Sequence, residues 1–176
     1  VSSASIGYRP RSDLPRLGKA VAEREVLLDT NVFIHALAGR GPSELRALMA
    51  ILPDAYVSGP TLAELHWPKG RLDPVHANTA RVLGQLDQVL ARIDPVKVLA
   101  PSAAQWARAG ELAGLAARAV AGGTRSIRTA FDRIELVNDA ATAIVALDVG
   151  LTVVTQDGDF DLFLQLEPGL RVVFYD

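Results

Sequence analysis

Five short strand-like segments, apolar but for Lys97 and Thr152, alternate with segments of helical periodicity along this 176-residue chain: Val26–Leu28, Ala55–Val57, Val96–Leu99, Thr152–Val154 and Val172–Phe174. A strand whose successive residues are all apolar has no face to give to water, so it must be covered on both sides. Between the runs, apolar positions recur at three-and-four spacing, as they do on an amphipathic helix. Strand and helix in alternation predict a parallel sheet with helices packed on its two faces.

The helical segments have recognisable ends. Asn31–Ala38 stops at Gly39, and Ser43 caps a helix expected to reach Leu52. From Val75 the positions Thr79, Val82, Leu83, Leu86, Val89, Leu90 and Ile93 lie on one face, and Asp94-Pro95 ends it. Ser102 caps an alanine-rich helix running through Trp106 and Leu112 to Val120, ended by Gly122-Gly123-Thr124. A polar, basic connector follows; helical character resumes near Ile134 and continues to Leu147, with Gly150 as its stop. A short helix spans Asp159–Leu166. Residues 1–24 are polar and interrupted by Pro10 and Pro15, which predicts an N-terminal arm outside the core of a single domain spanning 25–176.

Composition narrows the classes. With 49% hydrophobic and 22% charged residues the chain is globular, and the lack of cysteine excludes disulfides and thiolate metal sites. No apolar stretch is long enough to span a bilayer, and the N-terminus lacks the apolar core of a signal peptide, so a cytoplasmic location is expected. A net charge of −2 gives no global signature of nucleic-acid binding. Basic residues do gather locally, at Arg9, Arg11, Arg16 and Lys19 and at Arg118, Arg125, Arg128 and Arg133.

Four acids stand out against this apolar framework: Asp29 directly after the first strand, Glu64, Asp139 and Asp157. In a parallel sheet, ligands bind outside the carboxyl ends of the strands, where Asp29 and Asp157 fall. Each acid has a structural alternative. Asp29 suits a helix cap, Asp157-Gly158 a turn, and Thr61-x-x-Glu64 has the spacing of a capping box. Asp139 is harder to explain structurally, since Ala140–Leu147 is nearly all apolar and draws it into the interior. Burying carboxylates together is costly unless a cation joins them, so the set predicts a metal site. All-oxygen donors suit Mg²⁺, with Mn²⁺ able to substitute. His35, His66 and His76 are scattered and lack metal-ligand spacing, and no glycine-rich phosphate loop is present.

Four segments together carry a resemblance: Leu-Leu-Asp29-Thr-Asn31-Val, Thr-Leu-Ala-Glu64-Leu, Asn138-Asp139 before Ala-Ala-x-Ala-Ile, and Val-Val-Thr155-Gln-Asp157-Gly-Asp159-Phe. In this order and at these separations the chain resembles the PIN-domain nucleases, most of all the VapC-type toxins, from about Val26 to its C-terminus. The resemblance implies a three-layer α/β/α sandwich with a mostly parallel central sheet. It also implies that Asp29, Glu64, Asp139 and Asp157 form the acidic quartet, oriented by Asn31 and Thr155. Asp159 either assists the metal or caps the Phe160–Leu166 helix, the second being preferred, and Glu135 shares the Asp139 face as a weaker candidate.

The implied activity is metal-dependent endoribonucleolytic cleavage of RNA, by a toxin neutralised by a cognate antitoxin and paired into a homodimer. The alanine-rich helices are candidates for the dimer contact, although a core-facing helix reads the same way. Arg118, Arg125, Arg128 and Arg133 are the candidate RNA contacts. Two alternatives remain. A haloacid-dehalogenase-type phosphohydrolase also has an aspartate after its first strand, but wants a second two residues later, where Asn31 stands; a noncatalytic PIN-fold binding module is the other.

Overall fold

The computed structural model describes residues 6–18, 25–40, 42–50, 54–121 and 129–175. Five strands, β1 (Val26–Leu28), β2 (Tyr56–Ser58), β3 (Val98–Leu99), β4 (Thr152–Thr155) and β5 (Arg171–Phe174), form one sheet in the order β3-β2-β1-β4-β5. Every pairing is parallel, so the sheet expected to be mostly parallel is wholly so. The helices are α1 (Thr30–Leu37), α2 (Ser43–Ala50), α3 (Gly59–Arg71), α4 (Thr79–Leu90), α5 (Ala103–Ala119), α6 (Ala130–Val149) and α7 (Asp159–Leu166).

Successive strand residues point to opposite faces, and this divides the interior in two. Leu27, Val153, Val172 and Phe174 meet the apolar sides of α5, α6 and α7. Val26, Leu28, Val57, Val154 and Val173 meet Val32 and Phe33 of α1, Leu45 and Leu48 of α2, Leu65 of α3 and Leu86 of α4. The alanines of α5 at 109, 113 and 116 are buried in the first of these clusters, together with Ala140, Ala141 and Ala143 of α6. Their small side chains therefore serve close helix packing inside the fold.

Local chemistry sets the helix ends. Ser102 and Gln105 close a capping box at α5, as do Thr129 and Asp132 at α6. The α6 box starts that helix four residues ahead of the expected Ile134, because Asp132 bonds back to the Thr129 N–H at 2.9 Å. Gly150 ends it in the left-handed conformation, φ 79°, where a side chain would be strained. α4 begins at Thr79 rather than Val75, and the expected third strand is divided into a 3-10 turn at Pro95–Lys97 followed by β3.

The N-terminal arm departs most from expectation. Leu14 is buried among the core residues, the Leu17 N–H bonds to the Phe174 carbonyl at 2.8 Å, and the Phe174 N–H bonds to the Pro15 carbonyl at 2.8 Å. Arg16 bridges Phe174 in parallel fashion, so this stretch lies along β5 and covers part of an otherwise open sheet edge. Arg9 fastens it farther along. Its guanidinium and backbone N–H reach the buried Asp161 of α7 at 2.6–2.8 Å.

Candidate active site

In the order β3-β2-β1-β4-β5 the strand order reverses between β1 and β4, and a crevice opens there beyond the strands' carboxyl ends. A cleft of about 630 Å³ occupies this position. Asp29, Glu64, Asp139 and Asp157 all line it, together with Thr30, Asn31, Ile34, Asp132, Glu135, Gln156, Gly158 and Asp159. Tyr8 and Arg11 of the N-terminal arm complete the wall.

Asp29 sits at the base, 4% exposed. Its Oδ1 accepts the Thr30 N–H at 2.7 Å, and its Oδ2 accepts the Thr155 hydroxyl at 2.7 Å and the Asn31 amide at 3.3 Å. It is therefore the cap of α1 as well as a cleft residue. Burial pushes its carboxyl up to about 6, reinforced by the negative charges of Asp157 and Glu64 and moderated by the bonds from Thr155 and Thr30. Thr155 also accepts the Asp157 N–H at 2.8 Å, so one hydroxyl locks two acids from either side of the topological switch.

The capping box at Thr61 and Glu64 does not form. Ser58 takes the cap instead, accepting the Thr61 N–H at 3.1 Å. Glu64, a turn into α3, turns toward α1 and α6, where Oε2 accepts the Thr30 hydroxyl at 2.6 Å and Oε1 the Asn138 amide at 3.3 Å. Ser58 further bonds the Thr142 hydroxyl at 2.8 Å, and Thr142 donates to the Asn138 carbonyl at 3.1 Å. This buried hydroxyl chain fixes α6 against the start of α3.

With α6 starting at Ala130, Asp139 lies in the helix interior, so the positive N-terminal end of the helix does not explain it. Asp132, Glu135 and Asp139 fall at helical spacing on the face toward the cleft. Burial raises the Asp139 carboxyl well above the ordinary range, followed by repulsion from Asp29, Asp157, Glu64 and Asp159. Glu135 is raised as well, by burial and then by Glu64, Asp132, Asp157 and Asp159.

Asp159 is not the cap of α7. Gly158 holds that position without a side-chain bond, while Asp157 Oδ1 accepts the Asp159 N–H at 2.9 Å and the Asp159 carboxylate accepts the Tyr8 hydroxyl. The predicted RNA contacts fare differently. Arg118 on α5 and Arg133 on α6 are exposed and neither lines the cleft; Arg125 and Arg128 lie outside the described residues.

Thr30 and Asn138 were missed by sequence reading although each touches a quartet member. Both lay inside the segments that carry the resemblance, immediately beside Asp29 and Asp139. Arg11 was recognised only as part of a basic cluster.

The donors are all oxygen and their charges repel one another, which suits a hard divalent cation in kind. No three acidic or histidine side chains among the described residues stand close enough to form a finished coordination shell. Asp29 and Glu64 direct their oxygens to protein donors instead.

The sequence pattern of the PIN domain matches residues 26–163. The chain belongs to the PIN domain family. Members of this family are generally nucleases that use divalent metal ions. No curated protein matches the chain in sequence. Among solved structures, the PIN fold here is similar to VapBC2 of Rickettsia felis bound to a promoter DNA fragment, with 21% identity, TM-score 0.57, and coverage of 86% of this chain and 98% of that one. It is similar to DNA-bound VapBC of Salmonella typhimurium at 21% identity and TM-score 0.57, covering 87% and 99%. VapBC-5 of Mycobacterium tuberculosis shares 24% identity at TM-score 0.50, covering 86% and 98%. PIN membership removes the haloacid-dehalogenase alternative. No helix among the described residues is long and apolar enough to cross a membrane.

Proposed function

We propose that this PIN domain is a metal-dependent endoribonuclease of the VapC toxin type, held in check by a cognate antitoxin. The observation that carries the reading is the gathering of Asp29, Glu64, Asp139 and Asp157 from four separate elements into one cleft at the switch point. Burial and mutual repulsion there raise the carboxyls of Asp29 and Asp139. A purely structural set of acids has no reason to accumulate this repulsion, whereas a cation relieves it.

In this reading the four acids hold Mg²⁺ or Mn²⁺. The bound ion supplies a water of lowered pKa and offsets charge on the phosphate. The chain's own contribution is placement. Thr155 keeps Asp29 and Asp157 in register across β1 and β4, Thr30 ties Asp29 to Glu64, and Asn138 holds Glu64 against α6. Asn31 supports Asp29 from the first turn of α1. The structures similar to this one include VapBC complexes, which supports an antitoxin as partner. A homodimer remains part of the proposal, although the buried α5 alanines are not its contact surface.

The test is incubation of purified protein with total RNA in Mg²⁺, Mn²⁺ or EDTA. Internal cleavage that requires the metal supports the reading, and cleavage unaffected by EDTA would overturn it. A noncatalytic binding module is the second reading, favoured by the unfinished coordination shell. It predicts no cleavage with either metal.

A further inference from the structure

Among the described residues, seven acidic side chains and one basic side chain, Arg11, line the cleft. A phosphodiester strand approaching such a wall meets repulsion everywhere except where Arg11 stands. Arg11 belongs to the arm, ahead of the residues 26–163 that match the PIN domain, so the cation comes from outside the family's own segment.

Its position is built. Arg11 Nη2 donates to the Gln156 carbonyl at 2.9 Å and Nη1 to the Tyr175 carbonyl at 3.4 Å, which sets the guanidinium beside the β4–α7 loop that carries Asp157. Neither partner is a carboxylate, and the residue is exposed. Both sides of the arm are anchored. Arg9 pairs with Asp161, the Tyr8 hydroxyl bonds Asp159, Gln165 donates to the Gly7 carbonyl at 2.8 Å, and Leu14 is buried in the core. An unstructured tail would lose this geometry to chain entropy; these contacts hold it in place.

We propose that Arg11 is a substrate-positioning residue, gripping a phosphate of single-stranded RNA next to the one being cleaved. The arm is thereby part of the active cleft. This inference rests on the nuclease reading above. Guanidinium and phosphate match in charge and geometry, with N–H groups still available beyond the two carbonyl bonds.

The test compares wild type with Arg11→Gln and Arg11→Lys, using a short single-stranded RNA, and DNA of the same sequence, in titrations over a range of salt. Arg11→Gln should lower the slope of log affinity against log salt by about 0.7 and raise KM about tenfold, with kcat little changed. Arg11→Lys should restore most of the slope, because a point charge still meets the phosphate. Mn²⁺ affinity, followed separately, should be unchanged in both. If Arg11 serves only to hold the arm, Arg11→Gln will lower the thermal midpoint and leave the salt slope unaltered, which overturns the proposal. The same holds if Arg11→Gln weakens DNA binding but not RNA binding. A wild-type protein that neither binds nor cuts RNA would overturn this proposal and the nuclease reading together, whereas a wild type that cuts RNA with an indifferent Arg11→Gln overturns this proposal alone.

Discussion

Replacing Asp29 with asparagine should stabilise the protein at neutral pH while abolishing metal-dependent cleavage. The folded Asp29 carboxyl titrates at about 6 against an ordinary 3.8. At 1.36 kcal/mol for each tenfold, this difference is worth about 3 kcal/mol. The sign follows from proton binding. Between pH 4 and 6 the folded state holds the proton and the unfolded state has released it, so stability falls as pH rises through this window. Above pH 6 both states are ionised and the full penalty of about 3 kcal/mol is in place. Asparagine carries no charge and escapes it. Its single carbonyl oxygen cannot accept from both Thr30 and Thr155, whose bonds to Asp29 measure 2.7 Å each, and the lost bond costs about 1 kcal/mol. The net gain at pH 7 should therefore be about 2 kcal/mol, shrinking to nothing or reversing near pH 4. Urea denaturation of both proteins in EDTA at pH 4, 5, 6 and 7 measures it. Added Mn²⁺ should then stabilise wild type by mass action and leave Asp29→Asn nearly unaffected. A gap between the proteins that does not vary with pH would refute the electrostatic reasoning, and full cleavage by Asp29→Asn would refute the assignment of the ligand.

Thr155→Val removes a donor from Asp29 and an acceptor from the Asp157 N–H, so it should destabilise by about 1–3 kcal/mol and move the pH-dependent loss of stability above pH 6, read from the same denaturation series. Glu64→Gln retains an acceptor for the Thr30 hydroxyl but removes the charge; calorimetric Mn²⁺ titration should show affinity down at least tenfold with the melting temperature held, and normal affinity would mean that Glu64 only joins α1 to α3. Thr152→Val replaces a buried hydroxyl that has no hydrogen-bond partner among the described residues, and should raise stability by about 1 kcal/mol in denaturant; a loss would show that the hydroxyl is satisfied.

Much of the architecture was legible along the chain because its signals are local. A strand without polar positions must be buried on both faces, as β1 is, and the start of α5 is written in residues that bond within three positions of one another. The positions of Asp29 and Asp157 beyond strand ends were likewise readable, since a parallel sheet dictates where its carboxyl ends lead. Glu64 was not. Whether it closed a capping box or faced the cleft depended on Ser58 taking the Thr61 N–H locally and on α1 and α6 bringing Thr30 and Asn138 within reach, contacts between residues far apart in sequence. The start of α6, set by its Thr129–Asp132 capping box, placed Asp139 inside a helix and joined it to Asp132 and Glu135 on one acidic face. For the arm, polarity and two prolines implied exclusion, yet Leu14 found a place in the core and Arg9 a buried carboxylate on α7. Sequence periodicity states which residues need cover; only tertiary packing, which brings together groups as far apart as Tyr8 and Asp159, decides which partner supplies it.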